Sequence, residues 1–356
     1  MKIMPIICTL ILALPLYGAS YRVTPAGAGD KDGSTWANAL QGVSTGGSNS
    51  FEEIVEGTPT AGDIFYVAGG TYTLTSALTP AVSGSGTAPF KVIGVKSTTT
   101  NENPVYSDWA FGDDRPLFDC GAYTFGPSAV GYWRFYNLRF TGTATYVARL
   151  YDAGAYLNCK STNTSSSSER YAFYGRYYST FYGCEVISNG SSSGRGIGLE
   201  RDGSKVLFCN IHNCNGIGVF FTGNTEFISN SVIHNCGNGI YCYGSNKCTY
   251  GIMNNTIYGC TTGIRGEPNG DNCFFFNNIV SGCTNGAVWN TDSKSNVWDY
   301  NCWNNTTNWT HSAWMNGPND VVDDPLLKDP ANDDFTLDTG SPCFDAGMQL
   351  GANVGL

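Results

Sequence analysis

From Cys209 onward the apolar and polar positions recur in rows: CNIHNCNGIGVFF, NSVIHNCGNGIYCY, NNTIYGCTTGIRGE and NNIVSGCTNGAVWN. Each row holds short stretches of alternating apolar and polar residues, such as Ile217-Gly218-Val219-Phe220, bounded by Asn or Gly, and no stretch has a helical period. Such a row is a set of short strands joined by turns. The glycine-apolar pairs fall at Gly196-Ile197, Gly216-Ile217, Gly239-Ile240, Gly263-Ile264 and Gly286-Ala287, in steps of 20, 23, 24 and 23 residues. A coil of that length buries its apolar side only by stacking on the coils above and below, at the strand spacing of roughly 4.8 Å. The pattern predicts an all-β, single-stranded parallel β-helix, a solenoid of roughly ten coils. A leucine-rich repeat needs a Leu-x-x-Leu-x-Leu frame that is absent, and a β-sandwich would not place the same residue types at the same point of each row.

Aligning the rows puts Cys214, Cys236, Cys260 and Cys283 at one corner and Cys159, Cys184 and Cys209 in an earlier ladder. Buried thiols behave as small apolar groups, so interior stacks are the expectation, with bridges between neighbouring coils as the alternative. Cys242 and Cys248 flank a turn and form the expected local disulfide. Asn230, Asn255, Asn278 and Asn301 open successive rows and predict a ladder of amides, each bonded to the next coil. His212 and His234 occupy equivalent places and predict a stacked outer pair rather than a catalytic one. No paired CxxC exists and only three histidines are present, which argues against zinc. The run from Ser161 to Ser168 reads as a loop thrown out of one coil.

The chain has 356 residues, of which 13% are charged, with 45 glycines and a net charge of -10. That balance disfavours nucleic acid and anionic lipid as partners. The first twenty residues carry one lysine, an apolar run from Ile6 to Tyr17 and the small residues Gly18, Ala19 and Ser20. They are expected to form a secretory signal peptide at 1–20, so the mature protein begins near Tyr21, is secreted or displayed at the cell surface, and does not insert into a membrane. Cys8 leaves with it, and thirteen cysteines remain. The expected organisation is an N-terminal cap with first strands at 21–84, coils at 85–310, and a closing segment at 311–356.

Two further stretches carry a resemblance. YRVTPAGAGDKDGSTWANAL at 21–40 with GDIFYVAGGTY at 62–72, and DDPLLKDPANDDFTLDTGSPCFDAG at 323–347, resemble the opening and closing segments of secreted bacterial right-handed β-helix proteins of the pectate-lyase-like superfamily. The resemblance implies a right-handed helix and is nearly silent on chemistry, because the superfamily spans pectate and alginate lyases, hydrolases, tailspikes and non-catalytic surface proteins. The Gly-His-Gly of polygalacturonase-type enzymes is missing, and no complete lyase set of calcium-binding carboxylates plus a basic residue carries over.

Alternation places Glu200, Phe220, Tyr241, Tyr243, Arg265 and Glu267 on the outer face beyond the glycine pairs, with Arg201, Asp202 and Lys205 in the adjacent turn and Arg176 one coil earlier. Rings cover apolar sugar faces, and charged groups bond hydroxyls or a uronate. Phe220, Tyr241, Tyr243, Arg265 and Glu267 are therefore the candidate substrate-binding residues. Glu200, Arg201, Asp202, Lys205 and Arg176 are the candidate catalytic set, as carboxylates for calcium or proton handling and as basic groups facing a uronate. Asp30 and Asp32 are candidates for a structural calcium site, the cofactor being otherwise undefined. The expected function is binding of an extracellular polysaccharide, with lyase or hydrolase cleavage if the protein is an enzyme. The alternative is a non-catalytic surface or adhesive rod.

Overall fold

The computed structural model describes residues 18–43, 49–243, 249–267, 272–289, 296–310 and 315–348. Each coil runs through three strands in a fixed order, illustrated by Lys205–Leu207, Asn210–Cys214 and Ile217–Phe221. Strands stack in parallel on their counterparts to build a first sheet of twelve strands, a second of ten and a third of eight. The chain is an all-β parallel solenoid of about ten turns, as its rows predict.

The inward positions form continuous stacks. On the first sheet Phe135, Tyr156, Phe181, Val206, Ile228, Ile252, Phe275 and Trp298 are register partners in sequence, and all are buried. On the third, Ile197, Val219, Ile240 and Ile264 do the same. β-Branched and aromatic side chains fill a pleated stack well, and each coil completes the burial of its neighbour. At the N-terminal end the helix Phe51–Glu56, N-capped by the Ser50 hydroxyl, lays Phe51 against Phe65 and Phe118 at 5.2 and 6.3 Å between ring centroids, closing the core. The first strand, Ser20–Thr24, begins one residue before the expected mature N-terminus and pairs with Ile64–Ala68.

One residue with positive φ turns the chain from the first sheet to the second in coil after coil. Asn137, Asn158, Asn230, Asn254 and Asn277 take this place at φ of 51–56°, and Gly183, Phe208 and Tyr300 occupy it elsewhere. Asn is the side chain that tolerates the left-handed region best after glycine. The following residue points inward and forms one ladder that changes chemistry along the axis: Cys159, Cys184, Cys209, Ser231, Asn255, Asn278, Asn301. The Cys209 amide donates to Ser231 Oγ at 3.1 Å, Ser231 to Asn255 Oδ1 at 3.1 Å, Asn255 to Asn278 Oδ1 at 3.1 Å and Asn278 to Asn301 Oδ1 at 3.0 Å. Asp320 ends it, accepting from the Asn301 amide at 2.8 Å. Asn230 is not a rung: it sits one place early, at the left-handed corner, and its amide bonds Ser229 Oγ while Ser231 fills the rung.

Two other expectations are corrected. Gly216 is out of register, because Ile217 pairs with Arg195 and Asn238 while Val219 pairs with Ile197 and Ile240. The repeating glycines are therefore Gly196, Gly218, Gly239, Gly263 and Gly286. They point inward where no Cβ fits: at Gly239 one would stand 2.6 Å from the Gly263 carbonyl and 2.9 Å from Ile257. The Ser161–Ser168 run is only partly a loop, since Lys160–Asn163 is a strand in which Ser161 is buried and donates to the Ala172 carbonyl at 2.7 Å.

The cysteine stacks at Cys159, Cys184 and Cys209 and at Cys214, Cys236, Cys260 and Cys283 are buried thiols, the simpler of the two alternatives. Cys242 is buried at a strand end, and Cys248 lies outside the described residues. His212 and His234 stack at 5.1 Å with 8° between their planes. His234 is nonetheless buried, because the closing segment folds Leu327–Asp329 and Asp334–Leu337 as an antiparallel hairpin whose Phe335 packs on it at 4.8 Å.

Candidate functional site

The outer face of the third sheet carries an aromatic strip. One register row reads Tyr146, Tyr171, Arg195, Ile217, and the next reads Arg149, Tyr174, Gly198, Phe220, Tyr241, Arg265. Tyr171, Tyr174, Ile217 and Phe220 are buried although they face outward, because they cover one another in a cluster separate from the core. Gly198 makes this collapse possible, since a Cβ there would strike the Tyr171 ring and stand 3.2 Å from Tyr174. Tyr146 and Tyr174 close to 4.1 Å between centroids.

Guanidinium groups are threaded through these rings. Arg195 lies 4.3 Å over Phe220 and 5.2 Å over Tyr171, donates to the Tyr171 hydroxyl, and pairs with Glu169 at 2.9 Å. Arg265 lies 4.7 Å over Tyr241 and 3.1 Å from Glu267, which also accepts from the Tyr241 hydroxyl at 2.6 Å. Burial, then the Glu267 hydrogen bond, pushes the Tyr241 phenol up to about 12. Where the strip turns toward the first sheet, Arg176 lies 5.1 and 5.5 Å over Tyr151 and Tyr177 and pairs with Glu200 at 3.2 Å. Arg201 approaches the other oxygen of Glu200 at 3.6 Å.

Arg149 differs from the rest. It is half-buried, its Nε donates to the Pro127 carbonyl at 3.1 Å, and it forms no ion pair among the described residues. Burial lowers its pKa, and nearby Arg176 adds to the effect while Tyr156 and Tyr146 oppose it. A guanidinium in such surroundings has the chemistry to bind an anion.

The structure brings Arg176, Glu200 and Arg201 together and joins them to the strip holding Phe220, Tyr241, Arg265 and Glu267, with Tyr243 exposed 6.0 Å from Phe220. It separates the other two candidates. Asp202 is held by a turn, its carboxylate accepting from the Asn224 backbone and side-chain amides, both at 3.0 Å. Lys205 opens a strand of the first sheet, exposed between Thr180 and Phe227, around the corner from the strip. Asp30 and Asp32 are exposed in the opening turn, where Asp32 accepts from the Ser34 amide at 2.8 Å and Asp30 makes only backbone contacts. No group of three or more metal-ligating His, Cys, Asp or Glu occurs among the described residues. The sequence reading missed Arg149, Tyr171, Tyr174 and Arg195. Extending the register of Arg195-Gly-Ile-Gly198 back onto Tyr171-Ala-Phe-Tyr174 is the signal that finds them.

A second ionic cluster lies on the second sheet. Glu185 pairs with Lys160 at 2.8 Å, His212 at 3.5 Å and Arg115 at 3.8 Å, and His212 first, then Lys160, bring its pKa down to about 2 against the effect of burial.

Coils stacked in three parallel sheets define a right-handed parallel β-helix protein of the pectate-lyase-like fold. Residues 128–304 match the family described as the right handed beta helix region. Among solved structures the chain is similar to pectate lyase Pel9A, at TM-score 0.57 and 16% identity over 95% of this chain and 93% of that one. It is also similar to XylC in complex with xylose, at TM-score 0.53 and 10% identity over 80% and 75%. Likeness at these identities establishes the fold. No curated protein matches it in sequence.

Proposed function

We propose that this protein works outside the cytoplasm and binds an acidic, uronate-bearing polysaccharide along the outer face of the third sheet. The observation that carries the reading is Arg149, a half-buried guanidinium set among tyrosines with no acidic partner among the described residues. A uronate carboxylate would complete its charge, while the partly exposed Tyr146 and Tyr241 would meet the apolar faces of sugars along the chain. Pectate lyase Pel9A and the xylose complex of XylC share the fold and belong by name to carbohydrate chemistry, which supports the same class of ligand. The support for export is the apolar run from Ile6 to Tyr17 followed by Gly18, Ala19 and Ser20, the composition of a secretory signal.

Binding without cleavage is the reading we favour. Glu200 is already engaged by two guanidinium groups and Asp202 by the Asn224 turn, so the carboxylates at this end of the strip are committed to holding the protein itself together.

The test is titration of polygalacturonate and alginate oligomers into the mature protein and into Arg149→Gln, with and without calcium, while following the ultraviolet absorbance of unsaturated products. The expected result is binding that Arg149→Gln weakens about tenfold or more, as for loss of one charge-assisted pair, with no absorbance change. Absence of binding to any uronate polymer by the folded protein overturns the proposal; a rise in absorbance makes the protein a lyase.

A further inference from the structure

We propose a second carbohydrate site, specific for uncharged sugars, in the aromatic cleft beside the corner between the first and second sheets. Here the segment between the strands Phe90–Val95 and Leu117–Gly121 leaves the helix and folds against its side. It is pinned at both ends: Trp109 bridges to Val95, the Ala110 amide donates to the Gly94 carbonyl at 3.1 Å, and Arg115 donates to the Asn158 carbonyl at 2.8 Å. Lys96 and Asp108 fix its turn, through Lys96 to the Ser107 carbonyl at 2.8 Å and Asp108 accepting from the Val105 amide at 2.9 Å. The segment is therefore a rigid platform rather than a loose loop.

The platform presents rings. Phe111, Tyr106, Trp109 and Tyr136 follow one another with centroids 5.3–5.7 Å apart. Tyr182 forms the opposite wall, backed by Phe208 at 5.2 Å. Together they enclose about 400 Å³, within the usual size of a ligand cleft. Tyr106 is 68% exposed, Tyr182 45% and Phe111 42%, and a contiguous exposed patch of rings marks an interaction site.

Two features choose the ligand. No charged side chain lines the cleft, so a uronate or a cationic group would lose its hydration without a partner. The lining groups that can hydrogen-bond are neutral: the side chain of half-buried Asn158, whose Nδ2 donates to Asn137 Oδ1 at 2.6 Å, and the hydroxyls of Tyr106, Tyr136 and Tyr182. Rings on two walls with neutral polar groups beside them match a neutral pyranose, whose C–H faces lie against aromatics and whose hydroxyls meet tyrosine hydroxyls and an amide. The site is independent of the uronate strip: it sits on another sheet and uses none of its residues.

Calorimetric titration of xylohexaose, cellohexaose and an oligogalacturonate hexamer into the mature full-length protein tests this. At least one neutral hexamer is expected to bind. Tyr106→Ala and Tyr182→Ala are each expected to weaken it about tenfold, as for loss of one stacked ring, and Arg149→Gln to leave it unchanged. Both tyrosines are surface residues, so the variants keep the thermal melt of the parent, and Trp109→Phe serves as a further cleft variant that retains a ring and most of the affinity. The proposal is overturned if neither neutral hexamer binds, if binding survives both alanine substitutions, or if Arg149→Gln abolishes it, because the last outcome assigns neutral sugars to the third-sheet strip.

Discussion

The side chain of Glu226 folds back over Gly223, occupying the space that a Cβ on that glycine would need. Glu226 is 1% exposed, and among the described residues neither carboxyl oxygen has a well-formed hydrogen bond, only the poorly aligned backbone amides of Gly223 and of Glu226 itself. It lies at the corner between the third and first sheets, in register between Ser204 and Tyr250, one position ahead of the strand Phe227–Ser229.

Burial pushes the Glu226 carboxyl up to about 8, Asp202 adds to the rise, and the Gly223 backbone opposes it. The folded protein therefore holds this proton over a range in which the unfolded chain, titrating near 4.5, has lost it. The linked stability is fully present below about pH 4.5 and is lost as pH rises toward 8. Glu226→Gln is expected to raise stability at pH 9 by roughly 2–4 kcal/mol and to change little at pH 4. Urea melts of both proteins at the two pH values decide it; equal stability at pH 9 would mean that the carboxyl is not buried as described.

The amide ladder makes a graded prediction. Asn278 accepts from the Asn255 amide and donates to the Ile252 carbonyl at 2.8 Å and Asn301 Oδ1 at 2.9 Å. Replacement by Leu leaves these groups unpaired in a buried place and is expected to cost roughly 3 kcal/mol or more. Asn278→Ser is expected to cost less, because Ser231 already fills the equivalent rung with its hydroxyl accepting from Cys209. A reversed order in thermal melts would remove the ladder as the source of the stability.

At the glycine corner, Gly239→Ala forces a methyl against the Gly263 carbonyl and Ile257. Both neighbours are in the interior stack, so the coils must part, and a loss of about 1–3 kcal/mol is expected. Gly216→Ala has less meaning for the repeat, since Gly216 is outside the inward row; its nearest neighbours are backbone atoms of Ser193 and Gly194.

Among the described cysteines of the reduced protein, Cys343 is the one expected to react first with iodoacetamide. It is half-buried, and the Cys302 thiol donating to its sulfur lowers its pKa, whereas burial raises the thiols of Cys120, Cys159, Cys209 and Cys236. Peptide mass spectrometry of briefly labelled native protein reads the order. Labelling of Cys209 or Cys236 at the rate of Cys343 would contradict the interior stacks.

How much of this could be read from the sequence follows from how local each signal is. The alternation in Ile217-Gly-Val-Phe220 and the recurrence of Asn-Asn and Cys at fixed places are properties of single coils, and they were enough for strands, corners and stacked interiors. Register was harder. Coils of 22, 21, 24 and 23 residues between the inward glycines leave two glycines, Gly216 and Gly218, competing for one place, and only the stacked neighbours decide between them. Asn230 was misassigned for the same reason, because a left-handed corner and the rung after it both favour Asn and differ by one residue.

The sequence by itself determined that this chain is a parallel β-helix, because stacking is the only way so many short alternating strands bury their apolar sides. It also determined the interior cysteine stacks and, Asn230 aside, the interior asparagines. Tertiary structure alone decided the surfaces proposed to meet a ligand. Arg149, Tyr174 and Phe220 lie on different coils and become neighbours only through register, and Tyr106 shares a cleft with Tyr182 only because an inserted segment folds back on the coils. Side chains far apart in the chain carry no shared periodic signal, so their meeting is set by how the coils stack, while the inward face is fixed by the two-residue alternation within each strand.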